Sequence, residues 1–273
     1  MELIEILKVV VLGIVEGITE WLPISSTGHM LLVDEFIHMN VSDSFKDMFF
    51  VVIQLGAILA VVMLFWDKMW PFQTKDKSKP VIRKDVFSMW FKVVVACIPG
   101  AIVTLLFDDY IEVHLHTPTV IALALVVYGV AFIVIENWNK KRTPKVLALE
   151  DISYKTAFII GLFQVLSIIP GTSRSGSTII GALTIGVSRV AAAEFTFFLA
   201  VPVMIGLSFI KILKFGFSFT SVELMTLAIG CVVAFLVSVL VIKFLMSYIK
   251  KRDFKIFGWY RIVLGVILLL YFM

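Results

Sequence analysis

Six stretches of this chain are apolar for about as long as a helix needs to cross a hydrocarbon core, roughly 20 residues. They run approximately over 45–66, 86–107, 119–138, 190–213, 223–247 and 257–273. Two further regions, 3–38 and 154–187, are equally apolar but interrupted. Pro23 with Ser25-Ser26-Thr27-Gly28 breaks the first, and Pro170-Gly171-Thr172-Ser173-Arg174-Ser175-Gly176 breaks the second. Each fragment is about 15 residues long, too short to span. A pair of half-helices that enters and leaves by one face fits better, and such re-entrant backbone is tolerated only where protein or a water-filled cavity surrounds it. The pattern predicts an all-α polytopic membrane bundle of about ten helical segments, six spanning and two re-entrant pairs.

Charge orients the segments. Lys68, Lys75, Lys77, Lys79, Arg83 and Lys84 crowd one linker, Lys140, Lys141, Arg142 and Lys145 a second, and Lys250, Lys251, Arg252 and Lys255 a third. Basic clusters can mark nucleic-acid binding. Here each abuts an apolar segment, so the positive-inside bias of cytoplasmic loops is the better reading and no nucleic-acid partner is expected. With linkers 67–85 and 138–153 inside, the turn Asp108-Asp109-Tyr110-Ile111-Glu112 falls outside. The first broken region then dips in from outside and the second from the cytoplasm.

That layout contains a repeat within a single membrane domain, 1–273. Gly13, Glu16, Thr19 and Pro23-x-x-Ser26 are matched by Gly161, Gln164, Ser167 and Pro170-x-x-Ser173, about 148 residues on before a one-residue slip. The halves, approximately 1–138 and 154–273, each read as a re-entrant pair plus three spans, joined by the basic linker. An odd number of crossings inverts the second copy. Inverted repeats bring interrupted helices together near the midplane, where transporters place their sites.

Composition agrees with this reading. The chain is 60% hydrophobic and only 16% charged, with a mean hydropathy of +1.02 and a net charge of +4. That is too apolar for an ordinary soluble domain. Cys97 and Cys231 fall inside apolar segments and read as small packing residues. The N-terminus has no basic region or small-residue cleavage site of a signal peptide, so no processing is expected.

The polar residues inside apolar sequence carry the candidate chemistry. Glu16 and Glu20 are spaced i, i+4 and share one helix face. Charges at bilayer depth cost about 2.5–3.5 kcal/mol each, so such residues are functional candidates unless they sit in the hydrated interface. Two carboxylates so close suit a divalent cation or a general base. Ser25-Ser26-Thr27-Gly28-His29 offers a helix cap together with a hydroxyl and an imidazole as nucleophile or acid–base partner. In Pro170-Gly-Thr-Ser-Arg-Ser-Gly-Ser-Thr178, glycines admit a ligand and a half-helix start aims free N–H groups at one spot. Thr172, Ser173, Ser175 and Thr178 add hydroxyls there. Arg174 adds a planar cation suited to phosphate, or alternatively a structural partner for Glu20. Gln54 hydrogen-bonds across the bundle or lines the site. No Walker, Rossmann or zinc spacing occurs.

Glu16-Gly-x-Thr-Glu20-x-Leu-Pro-x-Ser-Ser-Thr-Gly-His29 and Pro170-Gly-x-Ser-Arg-Ser-Gly-x-Thr178 resemble the undecaprenyl-diphosphate phosphatase family linked to bacitracin resistance. The likeness extends through Val52-Ile-Gln-Leu-Gly56, Gly186-Val-Ser-Arg189 and Glu194-Phe-x-Phe197. It implies hydrolysis of undecaprenyl diphosphate to the monophosphate carrier lipid of cell-wall synthesis, dependent on a divalent cation, Mg2+ or Ca2+. It also implies a homodimer in the bacterial plasma membrane with an outward-facing site. On this reading Arg174 and the half-helix amides clamp the diphosphate, with Ser25, Thr27, Gln54, Thr172, Ser173, Ser175 and Thr178 as further substrate contacts. Glu16 and Glu20 hold metal or act as base, and Ser26, His29 or water attacks. The rival is a transporter or flippase of an anionic lipid or small anion, for which the Glu, Ser and His set has no use.

Overall fold

The computed structural model describes residues 2–73, 80–115 and 117–272, with side chains at 108–113 excepted. Lys75, Lys77 and Lys79 of the first basic linker, and the side chains of the Asp108–Glu112 stretch, lie outside what is described. The described residues form twelve α-helices: α1 (Leu3–Thr19), α2 (Ser26–Phe36), α3 (Asp43–Val52), α4 (Gln54–Leu64), α5 (Trp66–Met69), α6 (Lys84–Leu115), α7 (Pro118–Asn139), α8 (Tyr154–Val165), α9 (Arg174–Thr184), α10 (Arg189–Phe215), α11 (Ser221–Ile249) and α12 (Lys255–Phe272). Extended pairing among them is limited to two isolated bridges, Phe72 with Ile82 and Val146 with Val187.

Among the described residues, six units are long and apolar enough to cross a membrane: Asp43–Leu64, Lys84–Phe107, Pro118–Asn139, Arg189–Phe215, Ser221–Ile249 and Lys255–Phe272. They coincide with the six apolar stretches of the sequence. The two interrupted regions form the broken pairs α1/α2 and α8/α9, whose members pack on each other across the break.

Two details differ from expectation. The first span is α3 and α4 in series, which with the short α5 makes twelve helices rather than ten. The interruption at Ile53 leaves the Val51 carbonyl to accept from Ser208 Oγ at 3.3 Å and the Val52 carbonyl to face Cys231 Sγ at 3.7 Å. Side chains that take over ladder carbonyls in this way are a recognised cause of helix breaks. In addition, the acidic stretch read as an external turn is helical backbone, because α6 runs on to Leu115.

Close helix–helix packing organises the bundle. α1 lies on α11 as α8 lies on α6, and α7 and α12 lie on each other. The paired glycines explain how closely these helices approach. A Cβ on Gly13 would lie 2.9 Å from Val233 Cβ, and one on Gly161 would overlap the Ala96 backbone, with Ala96 Cα at 2.8 Å. Without a hydrophobic drive between helices in lipid, such small-residue contacts supply much of the association through close packing. At the centre, α9 is buried from Ser175 to Leu183 and α10 from Ala191 to Val201, so these two stretches are sheathed by the other helices. Cys97 and Cys231 are half-buried free thiols.

The contact predicts a stability difference within one residue type. Gly161→Val should lower the thermal midpoint in detergent by the equivalent of about 1–3 kcal/mol, as overpacking does. Gly206→Val, where nothing stands within 4 Å of the added Cβ, is the control and should shift it far less. Equal midpoints would contradict the packing account.

Candidate active site

Both breaks end in the same local structure. Ser25 caps α2 and Ser173 caps α9, and each hydroxyl accepts from the backbone N–H three residues on, Gly28 at 3.3 Å and Gly176 at 3.2 Å. Their φ values, +75° and +70°, are the only positive ones at non-glycine positions among the described residues. Backbone held in this region costs about 1–3 kcal/mol and persists where the surroundings enforce it. The two caps are 148 residues apart, as are Gly13 and Gly161. The register of the repeat therefore pairs Ser25, not Ser26, with Ser173. The turn before α9 holds one more residue after its proline, which is what displaced the alignment. Ser26 and Arg174 thus become equivalent, each the first residue of its helix.

The two helix starts meet across Glu20. Ser26 Oγ donates to Glu20 Oε2 at 2.7 Å, and Arg174 Nη2 donates to Glu20 Oε1 at 2.7 Å. Ser175 Oγ donates to the Glu20 backbone carbonyl at 3.3 Å. The Arg174–Glu20 pairing weighed in the sequence is thus present, and it is inseparable from the Ser26 contact. The amides of Ser26, Thr27, Arg174 and Ser175 have no acceptor among the described residues. Unsatisfied amides at a helix start, with the positive end of the helix dipole behind them, form an anion site. Glu16 lies one turn before Glu20, close enough to feel Glu20 and Arg174, and is 1% exposed with Oε1 unpartnered.

His29 faces elsewhere. Its Nδ1 hydrogen-bonds the Ser25 carbonyl at 2.7 Å, which can only accept. Nε2 is then left to accept from the Tyr260 hydroxyl at 2.7 Å, with the rings stacked 5.6 Å apart. The remaining hydroxyls are divided. Thr172 Oγ1 donates to the Leu166 and Ile169 carbonyls at 3.0 and 2.8 Å, closing the turn before α9. Thr178 Oγ1 contacts the Arg174 and Ser175 carbonyls and Thr196 Oγ1. Ser173 Oγ and Ser175 Oγ are 3.0 Å apart. Thr27 is exposed, and Gln54, which opens α4, makes no side-chain hydrogen bond among the described residues.

Sequence reasoning passed over Arg261. It is fully buried in α12, where Nη1 donates to the Pro23 carbonyl at 3.1 Å and Nη2 to the Gly171 and Thr172 carbonyls at 2.7 and 2.9 Å. A lone arginine in an apolar 18-residue helix was the available signal. Two further pairs brace the bundle at its rim: Arg189 with Glu136, which also accepts from Phe254 N, and Lys68 with Glu194.

No group of three or more His, Cys, Asp or Glu that could hold a metal occurs among the described residues. Mg2+ beside phosphates needs fewer protein ligands, typically one or two carboxylates with substrate oxygens completing the shell. The unpartnered Oε1 of Glu16 next to the Glu20 carboxylate fits that more modest requirement.

The bacitracin resistance protein BacA family matches residues 9–267 of this chain. An undecaprenyl-diphosphatase of Enterococcus faecalis is 74% identical over 270 residues, covering 99% of this chain and 98% of the relative. Another from Lachnoclostridium phytofermentans is 62% identical over 273 residues, covering 100% and 99%. Undecaprenyl-diphosphatase 1 of Clostridium acetobutylicum is 56% identical, covering 100% and 99%. The chain belongs to the bacitracin resistance protein BacA family.

The strained caps yield a direct test. Ser173→Ala loses the hydrogen bond and keeps a Cβ at positive φ, so it should cost about 1–2 kcal/mol of stability. Ser173→Gly loses the bond but relaxes the backbone, and its thermal midpoint in detergent should lie above that of the alanine variant. The reverse order would contradict the assigned cap.

Proposed function

We propose that this member of the bacitracin resistance protein BacA family hydrolyses undecaprenyl diphosphate to undecaprenyl phosphate and inorganic phosphate. One observation carries the reading: a single buried carboxylate, Glu20, holds a hydroxyl on one helix start and a guanidinium on the other, with four free amides alongside. Phosphoryl transfer is mostly positioning and charge neutralisation. Arg174 and the amides of α2 and α9 bind the diphosphate, with the fork of the guanidinium across its oxygens. Thr27, Gln54 and Ser175 would be further substrate contacts, while Ser25, Thr172, Ser173 and Thr178 hold the two turns in shape.

Serine needs a base to become a nucleophile. Glu20, 2.7 Å from Ser26 Oγ, takes its proton as that oxygen attacks the terminal phosphorus. The bond from that phosphorus to the bridging oxygen breaks, and undecaprenyl phosphate leaves. Glu20 passes the serine's proton to the departing undecaprenyl phosphate. Water then attacks the phosphoserine, giving one proton to Glu20, which returns it to the serine oxygen as the phosphorus–oxygen bond breaks, and inorganic phosphate departs. Both ring nitrogens of His29 are engaged with Ser25 and Tyr260, so the imidazole supports the first turn of α2 and is not the attacking group. Glu16 and Glu20 would hold a divalent cation, Mg2+ or Ca2+, together with phosphate oxygens. When bound, that ion neutralises charge developing on the leaving phosphate.

The protein works as a homodimer in the bacterial plasma membrane, recycling the carrier lipid of cell-wall synthesis. Its two broken pairs are re-entrant, one dipping in from each side as inverted repeats, and the site opens outward. The exchanged contacts of α1 with α11 and α8 with α6 support the repeat. Transport of an anionic lipid would use the same cation and amides, but it has no need of a serine bonded to a carboxylate.

Purified protein in detergent should release phosphate from undecaprenyl diphosphate, since hydrolysis needs no sealed membrane. Arg174→Ala should reduce that release by at least about 100-fold, the scale of losing a transition-state donor, while eluting as folded protein on size exclusion. Near-normal turnover would remove Arg174 from the clamp. Rapid quenching with labelled substrate should place the phosphoryl label on Ser26; a label on His29, or none on the protein, would overturn the assigned nucleophile.

A further inference from the structure

We infer that Arg261 is a positioning residue for this reaction, fixing the separation of the two turns that carry Ser26 and Arg174. The inference rests on the roles given above to Ser26, Glu20 and Arg174. Arg261 has no ion-pair partner among the described residues, although it is fully buried. A buried charge without a counter-charge costs several kcal/mol unless its surroundings compensate. Compensation comes from backbone carbonyls of both halves of the chain, Pro23 on one side and Gly171 and Thr172 on the other, and from the Tyr128 ring 5.5 Å from the guanidinium carbon.

The acceptors explain why an arginine stands here. Pro23 is two residues before the cap Ser25, and Thr172 is one before the cap Ser173. These carbonyls follow the C-terminal ends of α1 and of the Leu166–Ile168 turn, where helix dipoles favour a cation. The amides of α2 and α9 beyond the caps remain available to the substrate. Across the site itself the turns are joined through Glu20, by Arg174 and Ser175. The Arg174 contact must loosen whenever Arg174 grips a phosphate. The Arg261 contacts are to backbone carbonyls and involve no group that meets substrate, so they persist through the cycle. Two separate nitrogens serve the two turns, a geometry that the single ammonium of lysine cannot reproduce. Gly176 belongs to the same arrangement, since a Cβ there would stand 3.3 Å from Arg261 Nη1.

The test is Arg261→Lys, purified in detergent and assayed for phosphate release from undecaprenyl diphosphate well below its thermal midpoint. Small misplacement of reacting groups costs rate more than binding, so kcat per folded molecule should fall by about 10- to 100-fold while KM stays within about two-fold. An unchanged kcat, or a fall in which kcat per folded molecule is preserved, overturns the inference. Where the lysine variant does not fold, Gly176→Ala probes the same register: its midpoint should hold while kcat drops several-fold, and a parental kcat overturns the inference equally. A parent protein that releases no phosphate would overturn the hydrolase reading, and this inference with it. A working parent with an equally working variant overturns this inference alone.

Discussion

A helix that stops inside an apolar bundle leaves carbonyls bare at one end and amides bare at the next, and this chain does so twice. Each unsatisfied group costs several kcal/mol away from water, so everything around the two breaks is organised to meet that demand. The carbonyls of Pro23, Gly171 and Thr172 turn to Arg261. Ser25 and Ser173 take one amide each and hold strained backbone to do it. The amides that remain are the resource for chemistry. Under the proposed function an anion completes what the protein leaves unsatisfied there.

Charge balance follows the same logic. Arg174 stands at the positive start of α9 and Arg261 against the carbonyls of both turns, while Glu16 and Glu20 are the acidic counterweight. Glu20 is fully engaged, by a hydroxyl on one oxygen and a guanidinium on the other. Glu16 is not, and its free oxygen gives the cluster room for one further positive charge. Neither carboxylate would be tolerable at this depth alone. With the arginines and helix ends they form a group of mixed charge, which under the proposed function takes up a phosphate and a cation together.

The surrounding bundle provides the rigidity. Glycines let α1 settle on α11 and α8 on α6, and α9 with the first half of α10, Ala191 to Val201, is enclosed. The edge-on contact of Trp21 with Phe197, 5.3 Å between rings, anchors the first turn against α10. Much of what the sequence resemblance rested on serves this frame. Arg189 binds Glu136, Glu194 binds Lys68, and Gly56 lets α4 approach α11 beside the break at Ile53. Such motif residues mark the architecture that holds the site rather than its chemistry.

The chain's own sequence determined the six spans, the two broken regions and the cluster of Glu16, Glu20, Ser26 and Arg174, because hydropathy and the cost of intramembrane charge are local properties. The matching caps, Ser25 and Ser173, stand one residue away from the match that the prolines suggest, because the turn before α9 holds one more residue after its proline. Tertiary structure alone decided how the polar residues divide their work. Ser26 reaches Glu20 while His29 turns to Tyr260, and Thr172 and Thr178 bond to backbone, because a hydroxyl's partner depends on which carbonyl the fold brings within 3 Å. Arg261 was legible only as an isolated charge. Its meaning lay in carbonyls 238 and 90 residues away in the chain, a separation that no periodicity spans and only folding closes.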